Sequence, residues 1–247
     1  NGGEIDGFNA ETAPIFLPNQ IGGYMPAKPG KPALEGKRGE PEDGQKSPNA
    51  ALVALSKGYV VASPGARGRT EPTGKAPAAI VDLKAAVRYL KANDKAMPGD
   101  AEKIISNGTS AGGAMSALLG ATADQKDYEK YLKALGAADG SDKVFAVSAY
   151  CPITDLDHAD MAYEWQFNGV NDYKKMNISM LDYRVKRELV AGTLTDDEKK
   201  LSDLLKPLYP AYLNSLNLKS PEGKPLTLDA QGNGSFKNHI AGLLAKS

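Results

Sequence analysis

Gly108-Thr109-Ser110-Ala111-Gly112 places a serine between two glycines at the spacing G-x-S-x-G. In that pattern a tight turn from strand to helix lifts the serine hydroxyl above the sheet. Gly108 and Gly112 remove side chains that would collide with neighbouring backbone, and Ser110 takes the strained conformation. The same turn aims the Ala111 N–H and the helix start at the place where an oxyanion would form, so the chemistry it fits is nucleophilic attack on an acyl carbon. A serine in an ordinary glycine-rich turn that binds phosphate is the competing reading. It would normally carry the G-x-x-x-x-G-K-[ST] or G-x-G-x-x-G spacing instead. A second oxyanion donor is expected from a loop after an earlier strand, and Gly22-Gly23 lies a few residues beyond Leu17. Gly23 is favoured over Gly22, with a plain flexible turn as the alternative.

Activating the serine needs a base, and the chain has two histidines, His158 and His239. His158 follows a strand too early for the usual order of nucleophile, acid and histidine, and it lies among Asp155, Asp157, Asp160 and Glu164. It reads as a structural or lid-packing histidine. His239 sits in Phe236-Lys237-Asn238-His239-Ile240, which reads as a surface helix rather than a catalytic loop. The sequence thus offers a nucleophile without a matching base. Its single cysteine, Cys151, has no His/Cys neighbours that would make a metal site and is expected to be a buried structural thiol. No metal or cofactor is expected.

The composition fits a folded protein of one or two domains, being 41% apolar and 24% charged over 247 residues. Thirty basic side chains balance thirty acidic ones, which removes the attraction that nucleic acid or an anionic membrane would need. No apolar run approaches the roughly 18 residues of a membrane-spanning helix. The opening Asn1-Gly2-Gly3-Glu4 has neither Met nor a signal peptide, so the true N-terminus is expected upstream and the compartment stays open.

Alternating strand and helix patterns position the motif. Ala13–Pro18 reads as a short strand, 19–46 as a long Gly/Pro-rich loop, Ala50–Lys57 as a short helix and Tyr59–Ser63 as a buried strand. Across 76–93, Ile80, Leu83, Val87 and Leu90 recur on one face of an amphipathic helix. Lys103–Ser106 is a third strand, Gly112–Ala121 a helix of small residues and Val144–Tyr150 a fourth strand. This order implies βαβ crossovers and a parallel sheet. From Cys151 the pattern becomes mainly helical, with helices over Asp196–Leu205 and Ser235–Ala245 and only the short Pro225–Leu228 as a strand. The expected organisation is therefore an α/β core portion over 1–150 and a helical region over 151–247.

Several long peptides resemble the bacterial tannases: Thr12-Ala13-Pro14-Ile15-Phe16-Leu17-Pro18-Asn19, Ile21-Gly22-Gly23-Tyr24, Arg67-Gly68-Arg69-Thr70, Asn107-Gly108-Thr109-Ser110-Ala111-Gly112-Gly113 and Ser148-Ala149-Tyr150-Cys151-Pro152-Ile153. His158 to Gly169 and Gly232-Asn233-Gly234-Ser235-Phe236 continue the match over most of the chain. The resemblance implies an α/β-hydrolase fold and a serine esterase that releases gallic acid from gallate esters. It implies Ser110 as nucleophile, Gly23 and Ala111 as oxyanion donors and Ile153 packed on the galloyl ring. It makes 151–247 the first part of an inserted lid. It also places the triad acid and histidine, and further strands, beyond the residues here, so a companion segment is expected to supply them. The rival readings are a feruloyl or general carboxylesterase on the same scaffold and a non-catalytic binding module that keeps the fold.

Overall fold

A computed structural model describes residues 3–36, 46–181 and 184–246. The chain forms two compact units, Asn1–Thr154 and Asp155–Ser247.

The first unit is built on β1 (Pro14–Pro18), whose Ile15 and Leu17 are almost wholly buried. Such a continuous apolar run suits a strand covered on both faces. A small antiparallel pair follows, β2 (Leu34–Gly36) with β3 (Lys46–Pro48), then α1 (Ala50–Ser56) and β4 (Val60–Val61). Asn49 caps α1 by accepting the Leu52 N–H at 3.0 Å. Next come α2 (Ala78–Ala92), β5 (Asp100–Thr109), α3 (Ala111–Ala121), α4 (Glu129–Leu135) and β6 (Ala146–Tyr150). The sheet order is β4-β1-β5-β6 and every pairing is parallel. Helix α2 buries Ile80, Leu83, Val87 and Leu90 as its spacing predicts. It also buries Lys84 and Arg88, which hydropathy alone would put in water. Both meet Asp142: Lys84 Nζ donates at 2.8 Å, and Arg88 donates from Nε at 3.2 Å and Nη2 at 3.1 Å.

The second unit holds α5 (Ala159–Phe167), a hairpin of β7 (Asp172–Leu181) and β8 (Arg184–Thr193), α6 (Asp196–Leu205), α7 (Leu208–Ser215) and α8 (Ser235–Leu244). Thr195 and Glu198 form a capping box on α6, with Asp196 and Asp197 completing an acidic first turn. Trp165 donates to Gly232 O at 2.9 Å and lies among Tyr209 and Phe236.

Four expectations are corrected. The strand at 59–63 contracts to Val60–Val61, because β4 pairs with β1 at only two positions. The loop over 19–46 carries β2 and the first residue of β3, while 37–45 lie outside the described residues. The mainly helical reading of 151–247 missed the hairpin, whose residues 172–177 are all exposed and so show no alternation of buried and exposed positions. Pro225–Leu228 makes a single bridge, Lys219 to Pro225, rather than a strand.

Candidate active site

Strand β5 ends at Thr109 and helix α3 begins at Ala111, leaving Ser110 alone at the junction with φ 59 and ψ −122. A residue with a Cβ pays for that left-handed backbone in strain, and only over-determined surroundings hold it there. Those surroundings are visible. The Ser110 N–H donates to Tyr150 O on β6 at 2.9 Å, and its carbonyl receives the first α3 bond, from Ala114 N–H at 2.9 Å. The N–H groups of Ala111, Gly112 and Gly113 precede that bond and are left without intrahelical acceptors. The serine is exposed, and its hydroxyl has no partner among the described residues.

The flanking glycines are required sterically. A Cβ on Gly108 would collide with the Gly112 carbonyl and stand 2.6 Å from Asn19 Nδ2. One on Gly112 would stand 2.5 Å from Asn19 Oδ1 and 2.8 Å from Ile21 O. Gly113 is constrained as well, since a Cβ there would run into Tyr150 O. The close approach brings the chain after β1 against the elbow, and that chain carries the second candidate donor.

Residues Gly22 to Met25 form a tight turn closed by Met25 N–H to Gly22 O at 3.0 Å, with positive φ at both central residues, 58 at Gly23 and 57 at Tyr24. Two left-handed residues in succession define a type I′ turn, in which glycine, asparagine and aspartate are favoured; here Gly23 meets that preference and Tyr24 does not. The Gly23 N–H is not engaged by any other described residue. Among the described residues no cluster of three or more His, Cys, Asp or Glu is placed to hold a metal ion.

The BD-FAE family matches residues 37–198. This chain belongs to the BD-FAE family. Its similarity to solved structures reaches further. Fusobacterium nucleatum tannase is 55% identical with a TM-score of 0.81, over 96% of this chain and 51% of that one. Tannase from Lactobacillus plantarum in an orthorhombic crystal is 46% identical with a TM-score of 0.79, over 97% and 52%. A tannin acyl hydrolase in complex with ethyl gallate is 47% identical with a TM-score of 0.74, over 96% and 49%. This BD-FAE chain therefore has the α/β-hydrolase fold and spans about half the length of the tannases it matches. No curated protein matches it.

Ser110, Ala111, Gly23 and Ile153 all lie in the first unit, which contains no histidine. Ile153 is 42% exposed, two residues beyond Cys151, which turns the chain after β6 with φ 46. Cys151 is exposed, against expectation, because that turn carries it out of the sheet. Both histidines lie in the second unit. His158 donates from Nδ1 to the Asp155 carboxylate at 2.8 Å and stacks on Tyr212 with ring centroids 3.7 Å apart. The Tyr212 hydroxyl donates to the same carboxylate. That hydroxyl, then His158, holds the Asp155 carboxyl below its ordinary range. His239 is half-buried within α8. Sequence reasoning missed Asn19. The partners of its Nδ2 are 88 to 97 residues away, and only its place in a matching peptide marked it.

Proposed function

We propose that this chain is the nucleophile-bearing part of a serine esterase that hydrolyses galloyl and related phenolic esters. The Ser110 backbone carries the reading: a strained residue between a strand and a helix N-terminus is what an exposed nucleophile beside orphan N–H donors requires. The substrate class rests on the likeness to tannases, one of which holds ethyl gallate.

In the proposed reaction Ser110 Oγ bonds to the ester carbonyl carbon as a histidine takes its proton. The Ala111 and Gly23 N–H groups donate to the tetrahedral oxyanion. Collapse breaks the ester C–O bond, the histidine returns its proton to the departing alcohol, and water then releases the acid from the acyl-enzyme. Ile153 supplies apolar surface to the galloyl ring, and residues 151–247 form the first part of a lid. The base and its acid come from a companion segment outside residues 1–247. Support for that assignment is chemical: the first unit has no histidine, His158 is engaged by Asp155 and Tyr212, and His239 lies in a helix.

The test is hydrolysis of methyl gallate and methyl ferulate by the intact protein, with fluorophosphonate labelling of Ser110. The expected result is labelling, a preference for gallate, and a loss of about 10⁵–10⁶ in kcat for Ser110→Ala. A loss below about tenfold removes Ser110 from the mechanism. Preference for ferulate moves the substrate class, and absence of both labelling and turnover favours a binding module.

A further inference from the structure

An oxyanion donor is useful only if it stays where the charge develops, and loop donors have no helix or sheet to hold them. The turn carrying Gly23 lies between β1 and the long connection to α1, so something outside it must fix its place. Two side chains hold this segment, Asn19 through Ile21 just before the turn and Arg69 through Gly23 within it.

Asn19 works from the elbow side. It is 8% exposed, and its amide is fully used. Nδ2 lies 3.0 Å from each of Asn107 O, Gly112 O and the Ser116 hydroxyl, while Oδ1 accepts the Ile21 N–H at 3.2 Å. One side chain thus joins the end of β5, the first turn of α3 and the start of the Gly23 loop. It also occupies the space that side chains at positions 108 and 112 would need.

Arg69 acts on the turn itself. Its Nε donates to Gly23 O at 3.0 Å, and its backbone N–H donates to Tyr24 O at 2.8 Å. With Gly22 O held by Met25, the carbonyls of three successive residues are fixed. A peptide whose C=O is fixed has its N–H fixed in the opposite direction, because the unit is planar and trans. The Gly22–Gly23 peptide, which contributes the Gly23 N–H, is therefore held both directly and through its neighbour. Arg69 itself is braced. Arg67 grips Asp82 on α2, with Nη2 at 2.7 Å and Nε at 3.1 Å, and a Cβ at Gly68 would collide with the backbone of Met25 and Pro26.

We propose that Asn19 and Arg69 are positioning residues that hold the Gly23 N–H in register with the Ala111 N–H, Asn19 by tying its loop to the elbow and Arg69 by clamping the turn's carbonyls. The proposal rests on the esterase reading above. Neither residue is assigned contact with substrate. A misplaced donor weakens the transition state and not the bound ester, so the defect falls on kcat and spares KM.

The experiment compares wild type, Asn19→Ala, Arg69→Ala and Arg69→Lys in the intact protein. Active sites are counted by fluorophosphonate titration, kcat and KM are measured with methyl gallate, and inhibition is measured with an arylboronic acid, which forms a tetrahedral adduct, and with gallic acid, which does not. Removing a whole donor costs about 10²–10³ in kcat. Loosening one should cost about 10–100-fold per titrated site, with KM and gallic acid inhibition within about threefold, boronic acid inhibition weakened in parallel, and partial recovery in Arg69→Lys. Arg69 is exposed, so Arg69→Ala reports even if truncation at buried Asn19 prevents folding. A per-site kcat within about threefold of wild type in Arg69→Ala, or a defect confined to KM, overturns the proposal. If wild type neither labels nor hydrolyses either ester, the esterase reading fails instead.

Discussion

Replacing Ser110 with glycine should make the protein inactive and more stable. The residue has φ 59 and ψ −122, is exposed, and makes no side-chain hydrogen bond among the described residues. Losing the hydroxyl therefore costs little. Losing the Cβ relieves a conformation worth about 1–3 kcal/mol of strain. Glycine gives back about 0.5–1 kcal/mol through the larger freedom of its unfolded chain. The net gain is about 1 kcal/mol, which corresponds to about 2–4 °C in Tm for a unit of 150–250 residues. Ser110→Ala is the reference, because it also lacks the hydroxyl yet keeps the Cβ and the strain. Thermal unfolding of wild type, Ser110→Ala and Ser110→Gly, followed by circular dichroism at one scan rate, should put the glycine variant highest and the other two close together. An alanine variant that melts at or above the glycine variant would show that the elbow backbone stores no strain, and the account of how Ser110 is presented would fall with it.

Two further expectations concern stability. Asp142→Ala removes the acceptor shared by buried Lys84 and Arg88 and leaves Lys84 with no carboxylate partner, while Arg88 keeps Glu129, so urea unfolding should register a loss of about 3–5 kcal/mol; a loss under about 1 kcal/mol would mean that water reaches the cluster. Arg88 holds the Glu129 carboxyl below its ordinary range, and Lys103 does the same for Asp100. Their contribution is complete above the unfolded carboxylate values of about 4 and fades as pH falls through the depressed folded ones. Tm should then be level from about pH 7 to 5 and drop below about pH 4, and a Tm that rises between pH 5 and 3 would contradict it.

What the sequence revealed depended on how local each signal was. The elbow was legible because its glycines and serine are contiguous and their steric roles are fixed by type. Strands β1 and β5 and helix α2 were legible because burial imposes an apolar run or a helical period, whereas β6 showed as a short apolar run although its Val147 and Tyr150 are exposed. The hairpin of β7 and β8 follows neither rule, since its exposed residues include Lys174, Lys175 and Met176 in succession and backbone pairing alone defines it. The burial of Lys84 has no local signal, because its partner Asp142 is 58 residues away. Asn19 and Arg69 stood in matching peptides, but their roles left no signal for the same reason: each acts on backbone atoms of a distant segment, and a carbonyl leaves no trace in a residue pattern.

The place of β1 in the sheet also sets a timetable for making the protein. Ile15 is flanked by Val60 on one side and Ile104 on the other, so β1 is made before both strands that pair with it and waits for each. Residue 104 follows residue 15 by 89 positions. At about 5–20 residues per second a ribosome needs about 4–18 s to cover that interval. For those seconds a β-rich apolar segment waits beside the ribosome with at least one hydrogen-bonding edge open, while other chains emerge nearby on the same message. Ribosome-associated chaperones or slow expression at low temperature should therefore raise the yield of soluble protein.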